Sequence, residues 1–385
     1  MKRTFLSLVV IGLVVSLLLS GCAPKATPTP QPKPPIKVAI VGPLTGSVAT
    51  FGEGNRDGAL LAVEEWNAKG GPAGRKIEYV LGDSQCDPKA AADTAKKVID
   101  EDKVQFIIGA VCSSETIPIT EYAATKKVPL ISGTSTNPGV TVDSTGKTKP
   151  YAFRACFIDP FQGTVMANFA LKNLKAKTAA VVLDVGNDYI KGLAEFFKAA
   201  FEKGGGKVVV YEAFVKEDTD FSAILSKVKD ANPDVFFVPT YYDKVSLIGA
   251  QAKQKGITCP LLGGDGWDSP DLDRAAVEGG FYSNHYDSGD TRPIVVDWVK
   301  KFQAKYNKIP DALATLGYDA ANLMFAAIDK AGSTDPDAVV KAMEGISYDA
   351  VSGKVTFDLQ HNPIKSAVVL KVTGGQIKYE ATVNP

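Results

Sequence analysis

Ile107-Ile108-Gly109-Ala110-Val111-Cys112-Ser113-Ser114-Glu115-Thr116 is the stretch on which the reading of this chain turns. Two β-branched residues close a short apolar strand, a glycine interrupts it, and two serines lead into a run from Glu115 to Lys126 with helical spacing. A strand that feeds a helix through a polar turn aims the Ser113 hydroxyl and the first free backbone N–H groups the same way. Such a helix start favours an anion by about 0.3 to 2 kcal/mol. Ser113 can equally act as a plain helix cap, and these residues alone leave both roles open.

Working outward, the same unit repeats. Strands are expected at Ile36 to Val41, Lys76 to Leu81, Gln105 to Ile108 and Val128 to Ile131, with helices at Gly54 to Lys69, Pro88 to Asp100 and Glu115 to Lys126. Steady alternation of strand and helix implies an α/β protein with a parallel sheet covered on both faces. The pattern pauses in a Gly, Thr and Pro-rich stretch from Gly133 to Pro150. It restarts with strands at Ala179 to Leu183, Lys207 to Tyr211 and Val235 to Pro239, each followed by a helix, so a second Rossmann-like lobe is expected. Helices at Ile294 to Tyr306, Ala312 to Ala331 and Pro336 to Met343, and strands at Lys354 to Phe357, Ala367 to Val372 and Gln376 to Tyr379, complete the two lobes. The chain then crosses between them near Arg154, Tyr286 and Ser352. This assigns 36–153 with 287–351 to an N-terminal lobe and 154–286 with 352–385 to a C-terminal lobe. Several crossings make a multi-strand hinge, and the cleft between the lobes is the expected place for a small ligand.

Two further βα turns share the character of the first. Leu130-Ile131-Ser132-Gly133-Thr134-Ser135-Thr136-Asn137-Pro138-Gly139 offers the hydroxyls of Thr134, Ser135 and Thr136. In the second lobe Gly263-Gly264-Asp265-Gly266-Trp267 follows a strand at Pro260 to Leu262; its glycines let the backbone approach a ligand, and Asp265 supplies a negative partner for a cation. Each stretch taken alone also reads as a polar loop. Phe51, Tyr189, Tyr241 and Tyr242 lie at other βα turns and can wall a pocket, with Val111 and Gly266 beside them.

Composition limits the chemistry. The chain has 385 residues, and its 43 basic and 43 acidic residues balance, so no excess positive charge draws it onto nucleic acid. His285 and His361 are the two histidines, too few for a histidine-rich metal site, and no cofactor is called for. G-x-x-x-x-G-K-[ST], G-x-S-x-G and H-E-x-x-H are all absent, so enzyme readings find no motif.

The first residues give an address. Lys2 and Arg3 precede an apolar run from Phe5 to Leu19, the size of a secretory signal core and short for a membrane span. It ends in Leu19-Ser20-Gly21-Cys22, which resembles the lipobox of bacterial lipoproteins. Residues 1–21 are then a signal peptide and Cys22 the lipidated N-terminus, anchored by more than one acyl chain. Residues 22–35, CAPKATPTPQPKPP, carry six prolines and form an extended tether. At about 3.1 Å per residue it spans roughly 40 Å. Cleavage removes Lys2 and Arg3 and no acid, taking the formal charge from zero to minus two. An exported location permits disulfides. Cys86 and Cys112 each follow a strand, and a bridge between them would add roughly 3 kcal/mol. Cys156 and Cys259 stay open between two buried thiols and a second bridge.

CDPK at 86–89, GAVCSSETIP at 109–118, SGTSTNP at 132–138 and GGDGWDSP at 263–270 resemble corresponding stretches of periplasmic branched-chain amino acid binding proteins, the substrate-binding subunits of ABC importers. The similarity runs from about Ile36 to the C-terminus. It implies the type I bilobal binding-protein fold, an amino acid ligand, a membrane permease as partner and a monomer. By that resemblance Ser113, Thr134 and Thr136 would bind the ligand α-carboxylate and amine, Asp265 would pair with the ammonium, and Tyr189 and Tyr241 would line the second-lobe wall. Phe51 and Leu313 fall where the family usually has aromatic residues lining the side-chain pocket. Asp265 stands where close family members commonly have glutamate, and Leu313 where they have an aromatic, so the pocket depth would differ. Cys86 and Cys112 match the family's first-lobe disulfide. Binding of another small carboxylate or amide, and an extracellular sensor role, remain the alternatives.

Overall fold

The computed structural model describes residues 33–384; the signal peptide, Cys22 and most of the proline-rich tether lie outside the described residues. From Pro35 onward the chain forms one compact unit. Its first sheet holds β1 (Ile36–Gly42), β2 (Ile77–Asp83), β3 (Phe106–Ile108), β4 (Leu130–Ser132) and β5 (Ala152–Arg154) in the order β2-β1-β3-β4-β5. All neighbours are parallel, with Ile40 opposite both Leu81 and Ile108. Helices α1 (Ala49–Ala68), α2 (Pro88–Lys96) and α3 (Ser113–Thr125) connect them. Strands buried on both faces must be apolar at consecutive positions, as Val38-Ala39-Ile40-Val41 and Phe106-Ile107-Ile108 are.

The second sheet is built the same way from β6 (Thr178–Asp184), β7 (Lys207–Phe214), β8 (Val235–Phe237), β9 (Leu261–Gly263) and β10 (Phe281–Asn284). Helices α4 (Asp159–Lys172), α5 (Asp188–Lys203), α6 (Ser222–Ala231) and α7 (Tyr242–Lys255) accompany it. After β10 come α8 (Pro293–Tyr306), α9 (Ala312–Ala331) and α10 (Pro336–Glu344), then a hairpin of β11 (Tyr348–Ala350) and β12 (Gly353–Val355). Finally β13 (Ala367–Thr373) and β14 (Gln376–Val383) add an antiparallel edge, giving the order β14-β13-β10-β9-β8-β6-β7. Two lobes with parallel-strand sheets are therefore present, as expected from the alternation.

α9 belongs with the first lobe, where it packs against α1. The approach is close enough that a Cβ on Gly58 would lie 1.9 Å from the Ala314 carbonyl oxygen, and one on Gly317 would lie 2.4 Å from that of Asn55. These glycines, together with Gly52 and Gly54, weaken the helical signal. That is why the sequence starts α1 at Gly54 while the helix begins at Ala49. Val355 and Ala350 pack in the first-sheet core with Ile36, Phe106 and Phe153. The first-sheet core thus reaches as far along the chain as Val355. The hairpin strands are three residues long, too short to show a period. Beyond it His361 still stacks on Phe153 with ring centroids 3.9 Å apart. Where the lobes join, Asp319 Oδ2 accepts from the Ser352 hydroxyl at 2.6 Å, and Lys365 Nζ reaches Ser352 Oγ at 2.5 Å and the Ala155 carbonyl at 3.2 Å.

Candidate functional site

The Gly109–Ser113 turn is held from several sides. Gly109 has φ of 121°, and a Cβ there would strike the Val41 carbonyl oxygen at 2.1 Å, so glycine is needed where β3 ends. Glu115 folds back and its Oε1 accepts from Val111 N and Cys112 N, each at 2.8 Å. Burial raises the Glu115 pKa, opposed by Ser84 and by backbone N–H donors including Cys112 and Val111. Cys112 is joined to Cys86 by a disulfide with Cα atoms 5.6 Å apart. From the neighbouring turn, Thr134 Oγ1 and Ser135 Oγ both donate to the Val111 carbonyl at 2.9 Å, and Ser132 Oγ donates to the Ala110 carbonyl at 2.7 Å. Ser113 Oγ accepts from Asn137 N at 3.2 Å.

The opposite wall is organised around one carboxylate. Asp265 Oδ1 accepts from Gln162 Nε2 at 2.8 Å and from Tyr189 OH at 2.9 Å, while Oδ2 meets His285 Nε2 at 2.9 Å. His285 is fully enclosed, and burial lowers its pKa against the pull of Asp265. The neutral ring therefore serves as an Nε2–H donor. Tyr189 OH in turn accepts from Gly266 N at 3.1 Å, and the Tyr189 ring stacks on Tyr241 with centroids 5.4 Å apart. Burial pushes both tyrosine pKa values well above the ordinary range, which keeps their hydroxyls as donors.

A small cavity lies between these walls, lined by Phe51, Val111, Cys112, Ser113, Thr134, Tyr189, Tyr241, Asp265, Gly266 and Leu313. Phe51 sets its ring edge against Tyr241 and Tyr242, with centroids 5.5 and 5.0 Å apart. The structure thus brings Ser113 and Asp265 to one cavity. Ser135 and Thr136 do not reach it. Ser135 Oγ is taken up by Val111 and by Thr116 Oγ1 at 2.6 Å, which locks the two turns together. Thr136 is buried beside Asp159, whose carboxyl is pushed up to about 8 by burial against the favourable Thr136 hydroxyl. Tyr242, also named from the sequence, instead donates to the Ser47 carbonyl at 3.0 Å. Cys156 and Cys259 are free thiols, raised by burial to about 12 and about 11.

The reading of the residues missed Gln162 and His285. Gln162 lies on α4 and His285 just past β10, 103 and 20 residues from Asp265 in sequence. No local pattern connects them to the GGDGW turn. Polar bonds also cross the cleft rim: Asn137 Nδ2 donates to the Asp188 carbonyl at 2.8 Å, Ser114 Oγ accepts from Asp188 N at 3.0 Å, and the Thr50 hydroxyl donates to Asp271.

Two sheet-and-helix lobes, with a cavity at the carboxyl ends of their strands and hydroxyls facing an acid across it, define a two-lobed solute-binding protein rather than an enzyme. The chain belongs to the periplasmic binding protein family, whose model matches residues 35–376. It is 38% identical to a leucine-binding protein of Thermotoga maritima, whose crystal structure superposes with a TM-score of 0.86 over 91% of this chain and 99% of that one. A branched-chain amino acid transporter substrate-binding protein of Streptococcus pneumoniae, solved with isoleucine, is 30% identical with a TM-score of 0.84, covering 91% of this chain and all of that one. The leucine-, isoleucine-, valine-, threonine- and alanine-binding protein of Pseudomonas aeruginosa is 33% identical over 84% of this chain and 86% of its own length.

Proposed function

We propose that this protein captures an α-amino acid with an aliphatic side chain and hands it to the permease of an ABC importer, working as a monomer outside the cytoplasmic membrane. Cys22 carries the lipid anchor and residues 22–35 hold the folded body off the bilayer. The lobe boundaries proposed from sequence are kept near Arg154 and Tyr286, with the third moved beyond Val355 to accommodate the hairpin.

The observation that carries this reading is the meeting of Ser113 and Asp265 in a single cavity. A zwitterion taken out of water needs a partner for each charge, because an unpaired buried charge is strongly disfavoured. In the proposed pose the Ser113 hydroxyl and the start of α3 receive the α-carboxylate, while Asp265, with Thr134 Oγ1 as a second acceptor since its proton goes to Val111, receives the ammonium. Oδ1 of Asp265 already has two donors and Oδ2 one, which leaves a lone-pair direction for the ligand. Phe51, Val111, Tyr189, Tyr241 and Leu313 surround the side chain, and an apolar wall of this kind favours aliphatic over charged side chains.

A thermal-shift panel tests it. A ligand at one hundred times its dissociation constant adds about 2.7 kcal/mol to stability, so leucine, isoleucine or valine is expected to raise the melting temperature clearly. Isovalerate, which lacks the amine, is expected to do so weakly. A flat response to every amino acid would overturn the reading, and a stronger response to the bare carboxylates would replace the amino acid by a simple acid. For the anchor, Cys22→Ala is expected to release the exported protein from the membrane fraction.

A further inference from the structure

Two carboxylates from different lobes end on the start of one helix. Asp311 is the N-cap of α9, and its Oδ1 accepts from Ala314 N at 2.7 Å. Asp268 follows the turn Asp265–Trp267 in the second lobe, yet its Oδ2 accepts from Ala312 N at 2.7 Å while also taking Asn284 Nδ2 at 3.0 Å. Its other oxygen accepts from Tyr282 OH at 3.2 Å. Both acids line a cavity of about 310 Å³ separate from the one that holds Ser113 and Asp265.

We infer that Asp268 and Asp311 form a proton-taking latch: when the lobes shut, Asp268 docks on the N-terminus of α9 beside Asp311, and the two carboxyls hold one proton between them. The inference rests on the reading above in one respect, that the lobes open and close around a ligand. Like charges brought together at a partly enclosed site cannot both stay ionised without cost, and a helix start with several free N–H groups relieves only part of it. The pair titrates as a unit.

In the shut form the Asp311 carboxyl is pushed up to about 7, first by burial and then by the Asp268 charge, against the Ala314 N–H and Lys308. Burial raises Asp268 as well, against its Ala312, Asn284 and Tyr282 donors. The surroundings supply no compensating cation in ion-pair contact with either acid among the described residues. On the α1 side, Lys308 is drawn to Asp57 at 3.5 Å, and Asp57 is also paired with Arg56 at 2.8 Å. Arg274 donates to the Gly375 carbonyl at 3.2 Å, neutral His285 is engaged with Asp265, Tyr286 donates to the Pro310 carbonyl, and Asp287 adds a further negative charge to the same cavity. The sign follows. A carboxyl with a raised pKa in the shut form takes up a proton on closing, so closure is favoured below about pH 7 and opposed above it.

Calorimetry of leucine binding between pH 5.5 and 8.0 tests the latch. The wild type is expected to bind about tenfold tighter at pH 5.5 than at pH 8.0, and to take up protons on binding near pH 6.5 when buffers of different ionisation enthalpy are compared. Asp311→Asn keeps a good N-cap and is expected to abolish both the slope and the uptake, as is Asp268→Asn. A flat wild-type profile, or a slope that survives Asp311→Asn, overturns the latch. Should leucine fail to bind, the radius of gyration of the ligand-free protein carries the same test. A smaller radius at pH 5.5 than at 8.0, lost in Asp311→Asn, supports the latch while the amino acid reading fails; equal radii sink the latch itself.

Discussion

The two walls of the cleft hold their polar groups in different ways. The first-lobe wall is laced by local bonds: Glu115 returns to the N–H groups of Val111 and Cys112, and hydroxyls of the 132–135 turn bond the carbonyls of Ala110 and Val111. The second-lobe wall hangs on Asp265, whose donors come from α4, α5 and the end of β10. One wall is redundant, with many weak bonds and a disulfide; the other is concentrated in a single charge. A loss on the first wall is shared among neighbours, whereas a loss at Asp265 strands three donors at once.

The sharpest test of that contrast is Asp265→Ala, expected to weaken leucine binding by about 3 to 5 kcal/mol, because the ammonium and the buried donors are left unpaired. Isothermal titration measures it, and a change under about 0.5 kcal/mol would remove Asp265 from the ligand. Asp265→Asn keeps the shape and isolates the charge. Next in size, reducing the Cys86–Cys112 bridge, which closes a separation of 26 residues, is expected to lower stability by about 3 kcal/mol in a chain-entropy model. Urea denaturation with and without reductant reads this directly, and no change would show that the first wall does not depend on its staple. Gln162→Leu removes one donor from Asp265 and is expected to lower leucine affinity by about 1 to 2 kcal/mol with little effect on the first wall. The smallest effect belongs to Ser113→Ala, about 0.5 to 1.5 kcal/mol in affinity, since neighbouring groups remain to receive the carboxylate. If Ser113→Ala cost more than Asp265→Ala, the contrast between the walls would be reversed.

The same difference explains what the residues made legible. A strand, a polar turn and a helix are contiguous in each case, so GAVCSSETIP and SGTSTNP read from the residues alone as parts of one surface. Asp265 was visible because glycines flank it, but its support was not, because Gln162 and His285 come from remote segments that the fold alone brings together. Ser135 and Thr136 show the converse. A hydroxyl in the right turn looks equally available in sequence, and only the coordinates reveal that the Ser135 hydroxyl is spent on Thr116 and Val111. The start of α1 and the β11–β12 hairpin were obscured by helix glycines and by strands of three residues.

The glycine contacts between α1 and α9 have a consequence for how ligand preference can change. Phe51 stands on one of these helices and Leu313 on the other, and with Gly58 against Ala314 and Gly317 against Asn55 the two helices are cast as a single block. Both side chains are therefore fixed relative to one another, and the mould they form keeps its shape whether or not anything fills it. Swapping either residue recuts the mould without disturbing the joint on which it swings, so a new diet could be acquired by a single substitution.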